Sequence, residues 1–202
     1  MKPIYKIWLL NYSQAWYDLD QEKQQDLMGK VYSSLPQVGG KTLLMASTLW
    51  DNEKWAAFGI EEFPSIDAVI AHSEALDKLQ WFRYRKGRTS LGTLIWPESI
   101  LTIPDAPLYR LVQFRMNESW YHLTEAEQKA WDDKNMQAFT QVGAQFIAGF
   151  NSTWSNEEWG SWLLETYPSL EAVQTKTSAL YYQGWYQYAT AYSLLGVKFQ
   201  PA

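Results

Sequence analysis

Cysteine is missing from this chain altogether, so disulfides, thiolate nucleophiles and Cys-ligated metal or iron–sulfur centres are all excluded. Histidine is nearly missing too. The two present, His72 and His122, stand far apart without close carboxylate spacing, which makes a poor metal site. Positive charge is in deficit, with 17 Lys and Arg against 22 Asp and Glu and a net charge of −5, so nucleic acid is not expected as a partner. One basic run stands out, Arg83-Tyr84-Arg85-Lys86-Gly87-Arg88. Within an acidic chain it reads as a solvated surface patch. Long apolar runs are lacking as well. The stretch near the N-terminus is broken by Lys6 and is too short for a signal core or a membrane span, so a soluble, cytoplasmic protein without a membrane partner is expected.

What the chain has in excess is aromatic: 12 Trp and 13 Tyr, in a composition that is 47% hydrophobic and 19% charged. That is a globular balance. Large aromatics fill the core of a small unit and also line ligand pockets.

The aromatics reveal that the chain contains itself twice, offset by 104 residues. Ala15-Trp16-Tyr17-Asp18-Leu19 returns as Ser119-Trp120-Tyr121-His122-Leu123, and Gln37-Val38-Gly39 as Gln141-Val142-Gly143. Trp50 and Trp55 return as Trp154 and Trp159, Phe63-Pro64-Ser65 as Tyr167-Pro168-Ser169, and Pro97 as Pro201. No gap is needed, so two copies of one domain are fused head to tail. The boundaries are placed at 1–100 for the first repeat, 101–107 for a linker containing Pro104 and Pro107, and 108–202 for the second repeat.

Within one copy, Tyr5 to Tyr12 reads as a strand and Asp20 to Leu35 as an amphipathic helix with Leu27, Val31 and Leu35 as its stripe. Lys41 to Thr48 and Trp55 to Phe63 read as a hairpin. Pro64 and Ser65 then open a second helix with Ile66, Val69, Ile70, Leu76 and Leu79 on its apolar face. A connector carrying the basic run leads to a last strand, Ser90 to Trp96. The order is βαββαβ, twice: an α+β protein of two tandem ferredoxin-like units. Each antiparallel sheet has a bare face, and the other copy is its natural cover.

By this order and duplication the chain resembles the dimeric α+β barrel superfamily, in which two such sheets pack into a pseudo-symmetric barrel. The segments Ala15-Trp16-Tyr17-Asp18-Leu19 and Gly184-Trp185-Tyr186 are similar to a group of small, uncharacterised bacterial members. The resemblance implies a single-chain pseudo-dimer acting as a monomer or a homodimer. It does not imply one activity, because relatives include haem enzymes such as chlorite dismutases, cofactor-free monooxygenases and isomerases. Haem requires an axial ligand. His72 lies mid-helix opposite Lys176 of the other copy, and His122 lies just past a strand, so both read as surface or hydrogen-bonded structural residues and no cofactor is expected.

The candidate site rests on alternation in the third strand of each copy. Taking the bulky face (Phe58, Ile60; Trp162, Leu164) as the one under the helices sends Glu61 and Glu165 towards the barrel interior. A carboxylate in an apolar strand could act as a general base or bind a ligand. A frame error of one residue would instead place it on the helix side, where Lys6, Arg110 or Arg115 could neutralise it. Asn11 and Arg115, which differ between copies, and Trp50 and Trp154 at the hairpin tips complete the candidate ligand-binding set. The expected ligand is small and apolar or aromatic. Ala46, Ala57 and Gly59 predict that any pocket favours the first copy. Two functions follow: a small-molecule-binding protein, or a cofactor-free enzyme, with its pocket between the sheets; alternatively a non-catalytic assembly module with a filled barrel. Haem binding stands third.

Overall fold

The computed structural model describes residues 2–97 and 101–199, so the Pro201 half of the Pro97 match lies outside the described residues. The first repeat runs β1 (Ile4–Tyr12), α1 (Gln14–Tyr17), α2 (Gln21–Gln37), β2 (Lys41–Ser47), β3 (Ala57–Phe63), α3 (Ile66–Lys78), α4 (Trp81–Tyr84) and β4 (Arg85–Trp96). The second runs β5 (Leu108–Met116), α5 (Glu118–Tyr121), α6 (Glu125–Gln141), β6 (Gln145–Asn151), β7 (Ser161–Tyr167) and α7 (Leu170–Tyr182). A 3-10 turn (Trp185–Gln187) and β8 (Ala189–Lys198) complete it.

Local chemistry sets the helix ends. Asp20 and Ser65 accept hydrogen bonds from the backbone N–H groups of Lys23 and Ala68, and Thr124 forms a full capping box with Glu127. Gly39 and Gly143, at φ of 74° and 67°, end α2 and α6, which explains why the Gln-Val-Gly triplet recurs.

All eight strands join one closed barrel in the order β1-β3-β2-β8-β5-β7-β6-β4. Each repeat contributes its own four-stranded antiparallel sheet. The two are stitched by β4 to β6, where Leu94 faces Phe150, and by β2 to β8, where Ala46 faces Lys198. The seams are short, two residue pairs between β2 and β8 and three between β4 and β6, but they give every strand a neighbour on both sides.

Among the described residues, the barrel interior is filled by apolar side chains. Tyr5, Ile7 and Leu9 of β1 pack there with Phe58 and Ile60, and with Tyr109, Leu111, Phe150, Trp162 and Leu164 from the second repeat. This corrects the face assignment made from sequence. The bulky residues of β3 and β7 fill the lumen, and the alternate residues, Glu61 and Glu165 among them, face the helices. The reason is steric: an eight-stranded barrel has an interior just wide enough for side chains, so its largest apolar residues belong inside.

Two further expectations change. β4 starts at Arg85, so most of the basic run is strand rather than connector. On α3 the buried residues are Ala68, Val69, His72 and Leu76, whereas Ile66 and Ile70 are 42% and 52% exposed.

The helix-facing side of the sheet shows how the copies diverged. Trp8 lies opposite Gly59 in the β1–β3 register, and the equivalent pair in β5–β7 is Val112 opposite Leu163. A Cβ on Gly59 would collide with the Trp8 indole. Large with absent, and medium with medium, fill similar space in two ways. Gly59→Leu alone is therefore expected to destabilise the fold by about 1–3 kcal/mol or more through overpacking. Adding Trp8→Val should restore most of that loss in a denaturant-melt double-mutant cycle. Additive losses would overturn the pairing.

Candidate functional site

With the lumen filled, the internal cavities sit between each sheet and its own helices. In the second repeat a cavity of about 280 Å³ is bounded by Val112, Phe114, Met116 and Leu163 of the sheet, Met136 and Phe139 of α6, Leu180 of α7, and Trp185. The equivalent cavity in the first repeat holds only about 70 Å³. The lopsidedness is thus the reverse of that expected from Ala46, Ala57 and Gly59. Trp8 takes the room that Gly59 leaves, Ala46 faces the lumen, and Tyr12 and Tyr32 stand where the second copy has Met116 and Met136.

Charged groups line the floor of both cavities. In the second repeat Glu165, 2% exposed, is enclosed by three donors. Tyr167 Oη donates to Oε2 at 2.6 Å, Lys176 Nζ donates to Oε1 at 2.9 Å, and Arg110 Nη1 lies 3.6 Å from Oε2. Arg110 also donates to Ser193 Oγ at 3.1 Å and reaches Thr177 Oγ1 at 3.4 Å. Lys176 Nζ sits 3.6 Å from the centre of the Phe139 ring. Burial lowers the Lys176 pKa to about 8, partly offset by Glu165. Burial also works against the Arg110 charge, but Glu165 and Tyr167 outweigh it and leave that pKa raised. The phenol of Tyr167 is pushed up by burial and by Glu165. Higher on α6, Asn135 Oδ1 is buried without a hydrogen-bond partner among the described residues, and burial raises the Asp132 carboxyl pKa.

The first repeat keeps the carboxylate and changes its surroundings. Lys6 Nζ lies 3.4 Å from Glu61 Oε2, Phe63 replaces the tyrosine, and His72 replaces the lysine. Arg85, with no basic counterpart at Ala189, enters from β4. His72 is 2% exposed and neither ring nitrogen has a partner among the described residues. It is thus neither a surface nor a hydrogen-bonded histidine. Burial, with Lys6 and Arg85 adding to it, lowers its pKa to about 4, so the ring is neutral near pH 7. His122 is exposed and lies 4.0 Å from Glu118.

The other sequence-derived candidates lie elsewhere. Asn11 braces its own hairpin, donating to Lys54 O at 3.1 Å and accepting from Tyr12 N at 2.9 Å. Arg115 lines a shallow groove with Tyr121 and Glu157. Trp50 and Trp154 are half exposed at the hairpin tips and line neither helix-side cavity. Their polar neighbours clasp the opposite repeat instead. Asp51 accepts from Leu195 N at 3.0 Å, and Asn156 donates to Ser90 Oγ at 2.5 Å.

Sequence reasoning missed Lys176, Arg110 as a certain partner, Tyr167 and Arg85. Lys176 had a visible signal, since it falls in the stripe Ala172, Val173, Lys176, Leu180 that forms the buried face of α7. Arg85 was hidden by the late start assigned to β4.

No protein-family model and no curated protein matches the chain. Solved structures do match in shape. A chlorite dismutase from Candidatus Nitrospira defluvii superposes with a TM-score of 0.81 at 11% identity, over 98% of this chain and 91% of that one. The same enzyme in complex with imidazole gives 0.80 at 11%, over 98% and 91%. A heme-binding protein from Thermus thermophilus gives 0.77 at 10%, over 98% and 92%. The chain has the chlorite-dismutase type of fold, made of two tandem βαββαβ units.

The fold family implies haem, and the lining residues do not fit it. The roomier cavity has no histidine. Its Lys176 is held as an ammonium by Glu165, so it offers hydrogen-bond donors but no lone pair for iron. His72 is packed against Phe63, ring centres 5.5 Å apart, over a cavity too small for a macrocycle. Among the described residues no cluster of three or more His, Cys, Asp or Glu could hold a metal ion, and no helix is long and apolar enough to cross a membrane.

Because the folded pKa of His72 lies below its unfolded value of about 6.5, the unfolded chain takes up a proton that the folded chain refuses as pH falls. Stability should therefore drop between pH 6.5 and 4 by up to roughly 3 kcal/mol more in the native chain than in His72→Gln. Chemical denaturation across that window checks this. Parallel curves for the two proteins would contradict a buried neutral imidazole.

Proposed function

We propose that this chain is a haem-independent binding protein for a small, mainly apolar molecule seated between α6, α7 and the outer face of the second sheet. The carrying observation is the Arg110–Glu165–Tyr167–Lys176 cluster at the floor of the larger cavity. Burying two cations and a carboxylate costs several kcal/mol that an apolar core of the same shape would not. A purely structural domain has no need of it. A floor of fixed polar groups beneath Met116, Met136, Phe114 and Leu163 has the make-up of a small-ligand pocket, and about 280 Å³ lies at the low end of the usual range. Lys176 has donors to spare after meeting Glu165 and favours a ligand with an acceptor or anionic head. Asn135 Oδ1 favours a donor at the other end. Nothing among these groups forms a nucleophile–base pair with a reaction of its own, so binding and not a named catalysis is the conclusion. The reading takes the fused pair as a cytoplasmic barrel, acting as a monomer or a homodimer.

The solid barrel favours a second reading, a non-catalytic assembly module. Exposed aromatic and aliphatic residues such as Ile70, Tyr181 and Tyr182 would then contact a partner.

Titration with benzoate, indole-3-acetate and indole, followed by tryptophan fluorescence, separates the two. The binding reading expects saturable quenching by the carboxylates, with Lys176→Met weakening them at least tenfold and indole much less. Val112→Trp combined with Leu163→Gly, which imports the first repeat's packing, should abolish binding without unfolding the chain. No response to any probe, with concentration-dependent self-association, would support the assembly reading instead.

A further inference from the structure

The cavity of the first repeat has a different chemistry. Three buried polar atoms converge on it without a hydrogen-bond partner among the described residues, both ring nitrogens of His72 and Arg85 Nε, and Glu61 Oε2 has no hydrogen bond there beyond its ion-pair contact with Lys6 Nζ at 3.4 Å. Each unsatisfied group of this kind costs about 1–3 kcal/mol, and native folds rarely gather several in one place without a reason. The second repeat supplies the internal control. At the same depth Glu165 has its tyrosine, its lysine and its arginine, and no atom of that quartet is orphaned. The first repeat lost the hydroxyl at Phe63 and the ammonium at His72, yet it kept the carboxylate and gained a second cation, Arg85. The network was opened, not dismantled.

We infer that this cavity is a binding site for a compact monoanion that carries its own hydroxyl, of the size of a small 2-hydroxy acid or hydrogencarbonate.

Charge sets the sign. Lys6 and Arg85 face a single carboxylate across the cavity and His72 is neutral, which leaves one positive charge in excess. A monoanion balances it. Hydrogen bonding sets the pattern. Arg85 Nε–H and Lys6 offer donors to a carboxylate, the Glu61 oxygen requires a donor such as a hydroxyl, and the neutral imidazole has one nitrogen for each kind of partner. A simple carboxylate would add repulsion and leave Glu61 Oε2 with only its ion-pair contact to Lys6, whereas a hydroxylated one gives it a hydrogen bond. Size closes the range. About 70 Å³ is several times the minimum for one water and far below a drug-sized pocket. Trp8, Leu76 and Trp81 form apolar walls that suit a methyl group and keep the ion pairs dry.

Isothermal titration with L-lactate, hydrogencarbonate and acetate tests this in the native chain, in Arg85→Ala (the residue type found at position 189), and in Phe63→Tyr with His72→Lys. The double variant rebuilds the closed network of the second repeat. Saturable binding of lactate or hydrogencarbonate is expected, with acetate at least tenfold weaker. Whichever of the first two binds tighter identifies the source of the oxyanion. Arg85→Ala should lose at least tenfold, and the double variant should lose binding while its Tm rises. Val112→Trp with Leu163→Gly should leave this binding intact, so failure at one cavity is told apart from failure at the other. Equal affinity for all three anions, no binding of any, or full retention in Arg85→Ala would each overturn the inference. If the double variant does not fold, the Arg85→Ala comparison decides alone.

Discussion

Closing eight strands into a ring leaves an interior narrow enough for side chains to fill, and most of this molecule follows from its being filled. The ring forces each strand to alternate strictly. When Tyr5, Ile7 and Leu9 are committed inside, Lys6, Trp8 and Leu10 must face α2 and α3. The lumen is shared by both repeats and tolerates little variation except by paired exchange. The helix-facing surfaces belong to one repeat each, and there the two copies have been free to differ. Cavities and buried charges are accordingly found under the helices.

Fusion made that freedom usable. In a symmetric homodimer each substitution would appear in both halves, so Trp8 opposite Gly59 could not coexist with Val112 opposite Leu163. In one chain the first repeat fills its helix-side space with Trp8, Tyr12 and Tyr32, and the second leaves it open behind Val112, Met116 and Met136. The carboxylates Glu61 and Glu165 persist while their partners change. Glu165 is met by Tyr167, Lys176 and Arg110, and Glu61 by Lys6 within ion-pair reach with Arg85 nearby. A group retained through divergence of everything around it is anchored by the charge opposite on the first strand, Lys6 or Arg110, which sits in cross-strand register with it.

Much of the fold was legible because repetition doubles every local signal. A weak N-cap or a weak strand gains weight when it recurs 104 positions later, and the Gln-Val-Gly triplet marked both helix ends. The candidate site was legible only in its carboxylates. Alternation shows which residues share a face but not which face is which, and Phe58 and Ile60 would suit a helix-packed face as well as a lumen. The decision belongs to closure, a property of all eight strands at once. Trp8 was invisible as the occupant of Gly59's space because the two are distant in sequence and meet only through the β1–β3 register. Arg85 was assigned to a surface patch because a basic run in an acidic chain reads as solvated, whereas pairing with Tyr12 draws it into the sheet.

The likeness to haem-binding barrels is one of shape at 10–11% identity, and the physics of the helix-side cavity explains why shape can be kept while contents change. A sheet roofed by two crossing helices cannot be packed flush everywhere, so the gap beneath the roof is inherited with the fold. Its occupant is decided by the few side chains that reach its floor. Iron needs a free, oriented axial donor. At position 176 this chain presents instead a lysine already bonded to Glu165, and at position 72 a neutral histidine that no second group orients. The floor of the second repeat is built from cation–carboxylate contacts that would have to break before Lys176 could coordinate a metal-bearing group. Breaking them would strand Glu165 or Arg110 in a buried setting, at a cost of several kcal/mol. On the proposed reading, the same contacts that hold this repeat together leave its cavity to organic ligands that hydrogen-bond to an intact network.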